Sequence, residues 1–132
     1  MSAALRKLVR HRAGSRCEYC RLPELAPHLQ HFHLEHIRPR CHGGTTSLRN
    51  LAWACSRCNA FKGPNLSGVD PDSDRVLRLF NPRIDHWQEH FVMDGARIPP
   101  LTARGRTTAW LLEFNDQERL FIRQGFLDLG LL

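Results

Sequence analysis

Four of the five cysteines in this 132-residue chain stand as two C-x-x-C pairs, Cys17-Glu-Tyr-Cys20 and Cys55-Ser-Arg-Cys58, with 34 residues between the pairs. Two sulfurs three residues apart suit one metal ion better than they suit each other. A pair of redox motifs or disulfides would use the same residues less well. Zinc takes four soft ligands in a tetrahedron, and each C-x-x-C turn can supply one edge of it. The pattern therefore predicts a structural zinc site built from Cys17, Cys20, Cys55 and Cys58. Cys41 is the odd cysteine, a free thiol to which the sequence assigns no role.

The segment between the pairs reads as strand, loop, strand, helix. His31 to Ile37 alternates around Phe32 and Leu34, and Pro39 limits the strand. Arg40 to Ser47, with Gly43-Gly44, is a loop, and Leu51 to Ala54 a second short strand. A helix starts at the second cysteine pair and ends at Gly63-Pro64. Such a ββα unit has little core of its own, so a metal would have to hold it. A basic helix over 3–13 precedes it. After it come a connector over 65–74, a strand over 75–80 and a helix over 83–91 behind Asn81-Pro82. A hairpin turning at Asp94-Gly95 and helices over 105–114 and 116–129, the second capped by Asn115, complete the reading. The expected class is α+β: a core over 1–66 with a C-terminal α/β extension over 67–132 packing on it, together one compact domain.

Charge is divided unevenly. Residues 1–66 hold 11 Lys/Arg against 3 Asp/Glu, whereas residues 67–132 hold 8 against 10. A basic half suggests a polyanion-facing surface, with nucleic acid the leading partner. A GC-rich coding sequence would give the same arginine excess, since only Lys7 and Lys62 are lysines. No apolar run approaches the roughly 20 residues that cross a bilayer. The basic N-terminus lacks the apolar segment of a secretory signal, which favours a cytoplasmic protein.

The middle of the chain reads Glu35-His36-x-x-Pro39, Gly43-Gly44, Asn50-Leu51, Cys55-x-x-Cys58-Asn59 and Lys62-Gly63. Over about Cys17 to Pro64 this resembles the HNH endonuclease family in its zinc-knuckle form, with a ββα-metal (His-Me finger) core. The resemblance implies a metal-dependent endonuclease that hydrolyses DNA phosphodiesters to 5′-phosphate and 3′-hydroxyl ends. It makes His36 the general base, Glu35 and Asn59 the ligands of a catalytic Mg²⁺ or Mn²⁺, and Asn50 the residue that ties down the loop and so aims the histidine. One carboxylate and one amide oxygen suit such a hard ion. Lys62, one helical turn beyond Asn59, is expected at a phosphate oxygen on the same face. Two positions depart from the family's usual letters, Asn59 standing for His and Glu35 for Asp.

Arg38, Arg40 and Arg57, with Arg6, Arg10, Arg12 and Arg49, are the candidate contacts to the DNA backbone, which carry no sequence information. Weak sequence preference follows, and a homodimer is a way to cut both strands. Each residue also has a plainer use: His36 in packing, Glu35 in an ion pair with Arg38 or Arg40, Asn50 and Asn59 in turns and caps, Lys62 as a solvated helix-end charge. His33 shares a strand face with Glu35, and His86 and His90 have i,i+4 spacing without an evident third ligand. A zinc-stapled nucleic-acid-binding module without catalysis needs the cysteines and the basic face. It does not need Glu35, His36 and Asn59 at their offsets. A protein-interaction domain is a third possibility, drawn from the half after residue 66.

Overall fold

A computed structural model describes residues 2–26 and 30–132. It divides into two compact units, Met1–Pro64 and Asn65–Leu132. The central residues of the 21–30 loop lie outside the described residues.

In the first unit, α1 (Ala3–Arg12) is followed by the antiparallel pair β1 (Phe32–His36) and β2 (Leu51–Cys55), and then by α2 (Ser56–Lys62). The register sets Leu34 opposite Trp53, Glu35 opposite Ala52 and His36 opposite Leu51. Residues 40–47 are not wholly irregular, since two 3₁₀ turns, Arg40–His42 and Leu48–Asn50, bracket the excursion between the strands. Gly43 ends the first of these with φ 81°, a left-handed conformation that costs glycine little.

Trp53 organises this core. Its ring is buried beneath the Arg6 guanidinium, 4.9 Å from the ring centroid, and its indole N–H donates to Glu24 Oε1 at 3.1 Å. Its backbone N–H donates to Glu18 Oε2 at 2.8 Å, and its carbonyl accepts from the Glu18 amide at the same distance. The first cysteine turn is thereby fixed to β2 by backbone and side chain together. On α1, Arg10 pairs with Glu24 at 2.8 Å. Arg12 donates to the carbonyls of Leu48 and Leu51 at 2.7 and 2.6 Å. Arg10 thus holds α1 to the loop at Glu24, and Arg12 holds it to the start of β2.

The second unit contains β3 (Ser67–Val69) paired antiparallel with β4 (Val76–Arg78), then α3 (Trp87–His90), α4 (Ala103–Leu111) and α5 (Gln117–Asp128). Three readings change here. The supposed connector over 65–74 contains β3, because Gly68 opposite Leu77 lets α4 approach closely: a Cβ there would lie 3.1 Å from the Thr107 methyl. The expected helix over 83–91 shrinks to Trp87–His90, since Asn81 Oδ1 accepts from the Arg83 amide and Asp85 Oδ2 from the Asn81 amide, closing a turn instead. Asn115 does not cap α5, which has Asp116 at that position. Its amide instead brackets Ile98, accepting from the Ile98 N–H at 2.7 Å and donating to its carbonyl at 2.9 Å.

The core of this unit is aromatic, with Phe91 against Phe80, Trp87 and Phe114 at centroid distances of 5.3–5.5 Å. Two buried arginines of α5 satisfy carbonyls that the turns leave open, Arg119 at Leu112 and Arg123 at Ala96 and Phe114. His86 is exposed, whereas His90 is buried with Nδ1 2.6 Å from Thr102 Oγ1, so the i,i+4 pair does not converge. No helix among the described residues is long and apolar enough to cross a membrane.

Candidate metal centre and active site

Each cysteine pair folds into a tight turn because a sulfur takes the place of a backbone acceptor. The Cys20 amide donates to Cys17 Sγ at 3.5 Å, and the Cys58 amide to Cys55 Sγ at 3.4 Å. The second contact also caps α2. All four sulfurs are buried and lie within 4.8 Å of one another. The Cys20–Cys55 separation is 3.7 Å, against about 3.8 Å for the edge of a tetrahedron with 2.3 Å zinc–sulfur bonds. The donor set and its spacing therefore fit a zinc ion. Burial pushes the Cys17 and Cys58 thiols well up, so thiolates at these positions need the counter-charge that a metal cation supplies.

At the His36 end of β1 a cavity of about 350 Å³ is bordered by Glu35, His36, Arg40, Cys41 and Asn59, with Leu34, Pro39, Gly63 and Pro64. Glu35 and His36 reach it from the end of β1, Asn59 from the first turns of α2, and Arg40 from the 3₁₀ turn. His36 is half-buried, with Nε2 2.9 Å from Thr46 Oγ1. Burial, followed by the charges of Arg40 and Lys62, lowers its pKa, which favours the neutral ring.

Asn50 is bound to the loop on both sides. Its Oδ1 accepts from the Arg38 amide at 2.9 Å, while Nδ2 donates to the carbonyls of Arg38 and Thr45 at 3.0 and 2.7 Å. Its own carbonyl accepts from the Ile37 amide. The chain leaving His36 is thus held to the chain entering β2. Arg38 adds a bond from Nε to the His42 carbonyl at 2.6 Å. Its exposed guanidinium is therefore partly committed to the loop.

Two residues behave differently from their sequence readings. Glu35 is 4% exposed, and it pairs with neither Arg38 nor Arg40 but with Lys62, whose Nζ lies 2.6 Å from Oε1. Lys62 is 2% exposed. It is not a solvated helix-end charge, and it also donates to the carbonyls of Ile37 and His36 at 2.8 and 3.4 Å. The residue that sequence reasoning missed is Tyr19, whose buried hydroxyl lies 3.0 and 3.3 Å from the two Glu35 oxygens. Its position inside the first cysteine turn was the available signal, since a large aromatic there must point into the core. Burial raises the Glu35 pKa, with Lys62 and Tyr19 acting against that shift.

Among the other candidates, Arg40 and Arg49 are exposed, Arg57 is half-buried, and His33 lies on β1 outside the cavity lining. As a hard-oxygen pair on one cavity, Glu35 and Asn59 fit Mg²⁺ or Mn²⁺ with most of the coordination left to water and substrate.

Residues 17–64 match the family model described as HNH endonuclease. The ββα arrangement of that segment, with its four clustered cysteines, is consistent with the family's metal-finger core. The chain is also similar to the Septu protein PtuB of Bacillus thuringiensis, with 29% identity over 112 residues, covering 82% of this chain and 40% of that one. It thus spans well under half the length of that relative. No solved structure matches it.

Proposed function

We propose that this chain is a metal-dependent DNA endonuclease that hydrolyses phosphodiesters to 5′-phosphate and 3′-hydroxyl ends with weak sequence preference. The observation that carries the reading is the common cavity: an imidazole, a carboxyl group, an amide and an exposed arginine border one space large enough for a phosphate group.

In this reading His36 takes the proton of the attacking water. With Nε2 engaged by Thr46, Nδ1 is the nitrogen available for it. Arg40 neutralises the phosphate, and Asn50 keeps the ring aimed by fixing the loop that follows it. A divalent ion held by Glu35 and Asn59 would supply the positive charge that stabilises the departing 3′ oxygen. The water oxygen bonds to phosphorus as its proton passes to His36, the bond to the 3′ oxygen breaks, and the leaving oxygen takes a proton from solvent while His36 returns its own to solvent. One such site cuts one strand, so a double-strand break takes two copies or two visits. Reduced cysteines around zinc agree with a cytoplasmic setting.

A second reading, a zinc-stapled nucleic-acid-binding module without catalysis, draws on the pairing of Glu35 with Lys62, which occupies one carboxylate oxygen. Plasmid nicking by the zinc-loaded protein with Mg²⁺ or Mn²⁺ decides between them. Nicking is expected; binding without nicking under either ion would favour the module.

A further inference from the structure

Lys62 ends α2, the helix that also carries Asn59, and its ammonium faces three oxygens at the end of β1. These are Glu35 Oε1 at 2.6 Å and the carbonyls of Ile37 and His36 at 2.8 and 3.4 Å. A single buried side chain therefore ties the helix bearing one candidate ligand to both the carboxylate of the other and the backbone of the candidate base. On the same carboxylate, Tyr19 adds a hydrogen bond from the first cysteine turn. Withdrawing the ammonium to reach a phosphate would leave a buried carboxylate without a counter-charge, which is strongly unfavourable.

We infer that Lys62 is a positioning residue of the nuclease site and does not touch the nucleic acid: its ammonium fixes α2 against the Glu35–His36 end of β1. The inference rests on the nuclease reading. Displacements of about 1 Å at a reacting centre can cost on the order of 100-fold in rate. A residue with this role thus affects turnover and leaves substrate binding alone. A phosphate contact does the opposite, and it adds about 0.9 to the slope of log affinity against log salt.

The test compares zinc-loaded wild type with Lys62→Met. One arm measures affinity for a short DNA duplex across salt concentrations, the other nicking at saturating protein. The expected result is an unchanged salt slope, affinity within about twofold, and a saturated nicking rate at least tenfold lower. A slope reduced by about 0.9, or an unchanged saturated rate, would overturn the inference. Because Lys62→Met alone strands Glu35 and can unfold the unit, Glu35→Gln/Lys62→Met is measured in parallel. It removes both charges and, measured without a divalent ion so that the loss of Glu35 as a ligand does not enter, must keep the wild-type slope. If the wild type binds the duplex but does not nick, the nuclease reading falls, while the salt slope still decides whether Lys62 reaches the DNA.

Discussion

Asn50 grips Arg38 by both backbone groups, accepting from its amide and donating to its carbonyl. Arg38 lies two residues beyond His36, so this pair holds the chain that leaves the histidine to the chain that enters β2. Replacing Asn50 by Ala hands these exposed backbone groups to water. It is expected to cost about 1 kcal/mol of stability and at least tenfold in nicking, with zinc retained. Urea unfolding, zinc analysis and a nicking assay on the same preparation check this.

Gly44 lies against the same pair. A Cβ there would sit 1.7 Å from the Arg38 carbonyl oxygen and 2.9 Å from Asn50 Nδ2. Gly44→Ala must push the loop open and should reproduce the Asn50→Ala phenotype. Gly95, with nothing within 4 Å of such an atom, is the control for volume. Gly95→Ala should leave nicking unchanged and cost only the backbone strain of its positive φ.

Zinc is expected to be required for the first unit to fold. Structural zinc contributes on the order of 10 kcal/mol to units this small. Cys55→Ser removes a ligand together with the sulfur that caps α2. It should abolish zinc binding and soluble expression together, as read by metal analysis and by yield in the soluble fraction.

Asp70 predicts a pH dependence in the second unit. The Arg106 guanidinium, against the opposing effect of burial, holds this carboxyl well below the usual carboxylate range, with help from the Asp72 amide and Ser73 hydroxyl. A depressed folded-state value contributes stability above the unfolded value of about 3.9, and that contribution is lost as pH falls toward the folded one. Asp70→Asn should therefore melt lower than wild type at pH 7, with the difference narrowing below about pH 4. Thermal melts of both proteins across that range measure it.

The zinc cluster and the order strand, loop, strand, helix were legible because C-x-x-C spacing and strand alternation are local signals. The meeting of His36, Glu35 and Asn59 at one cavity followed from a resemblance in spacing. The partner of Glu35 was not legible. Helical spacing put Lys62 on the face of Asn59, but which part of that face turns toward the strands depends on the need of a buried carboxylate for a cation, a tertiary fact. Nor were the contacts of the α1 arginines legible, because composition counts charge and does not reveal that Arg12 donates to two carbonyls. In the second half, Asn81 and Asn115 offer the same side chain to a helix cap or to a turn, and contacts distant in sequence made the choice.

The most direct measurement is plasmid nicking by His36→Ala beside the wild type, with zinc content and duplex affinity determined on both. The account predicts a variant that keeps one zinc per chain and wild-type affinity but does not nick. Equal nicking by the two proteins would contradict it.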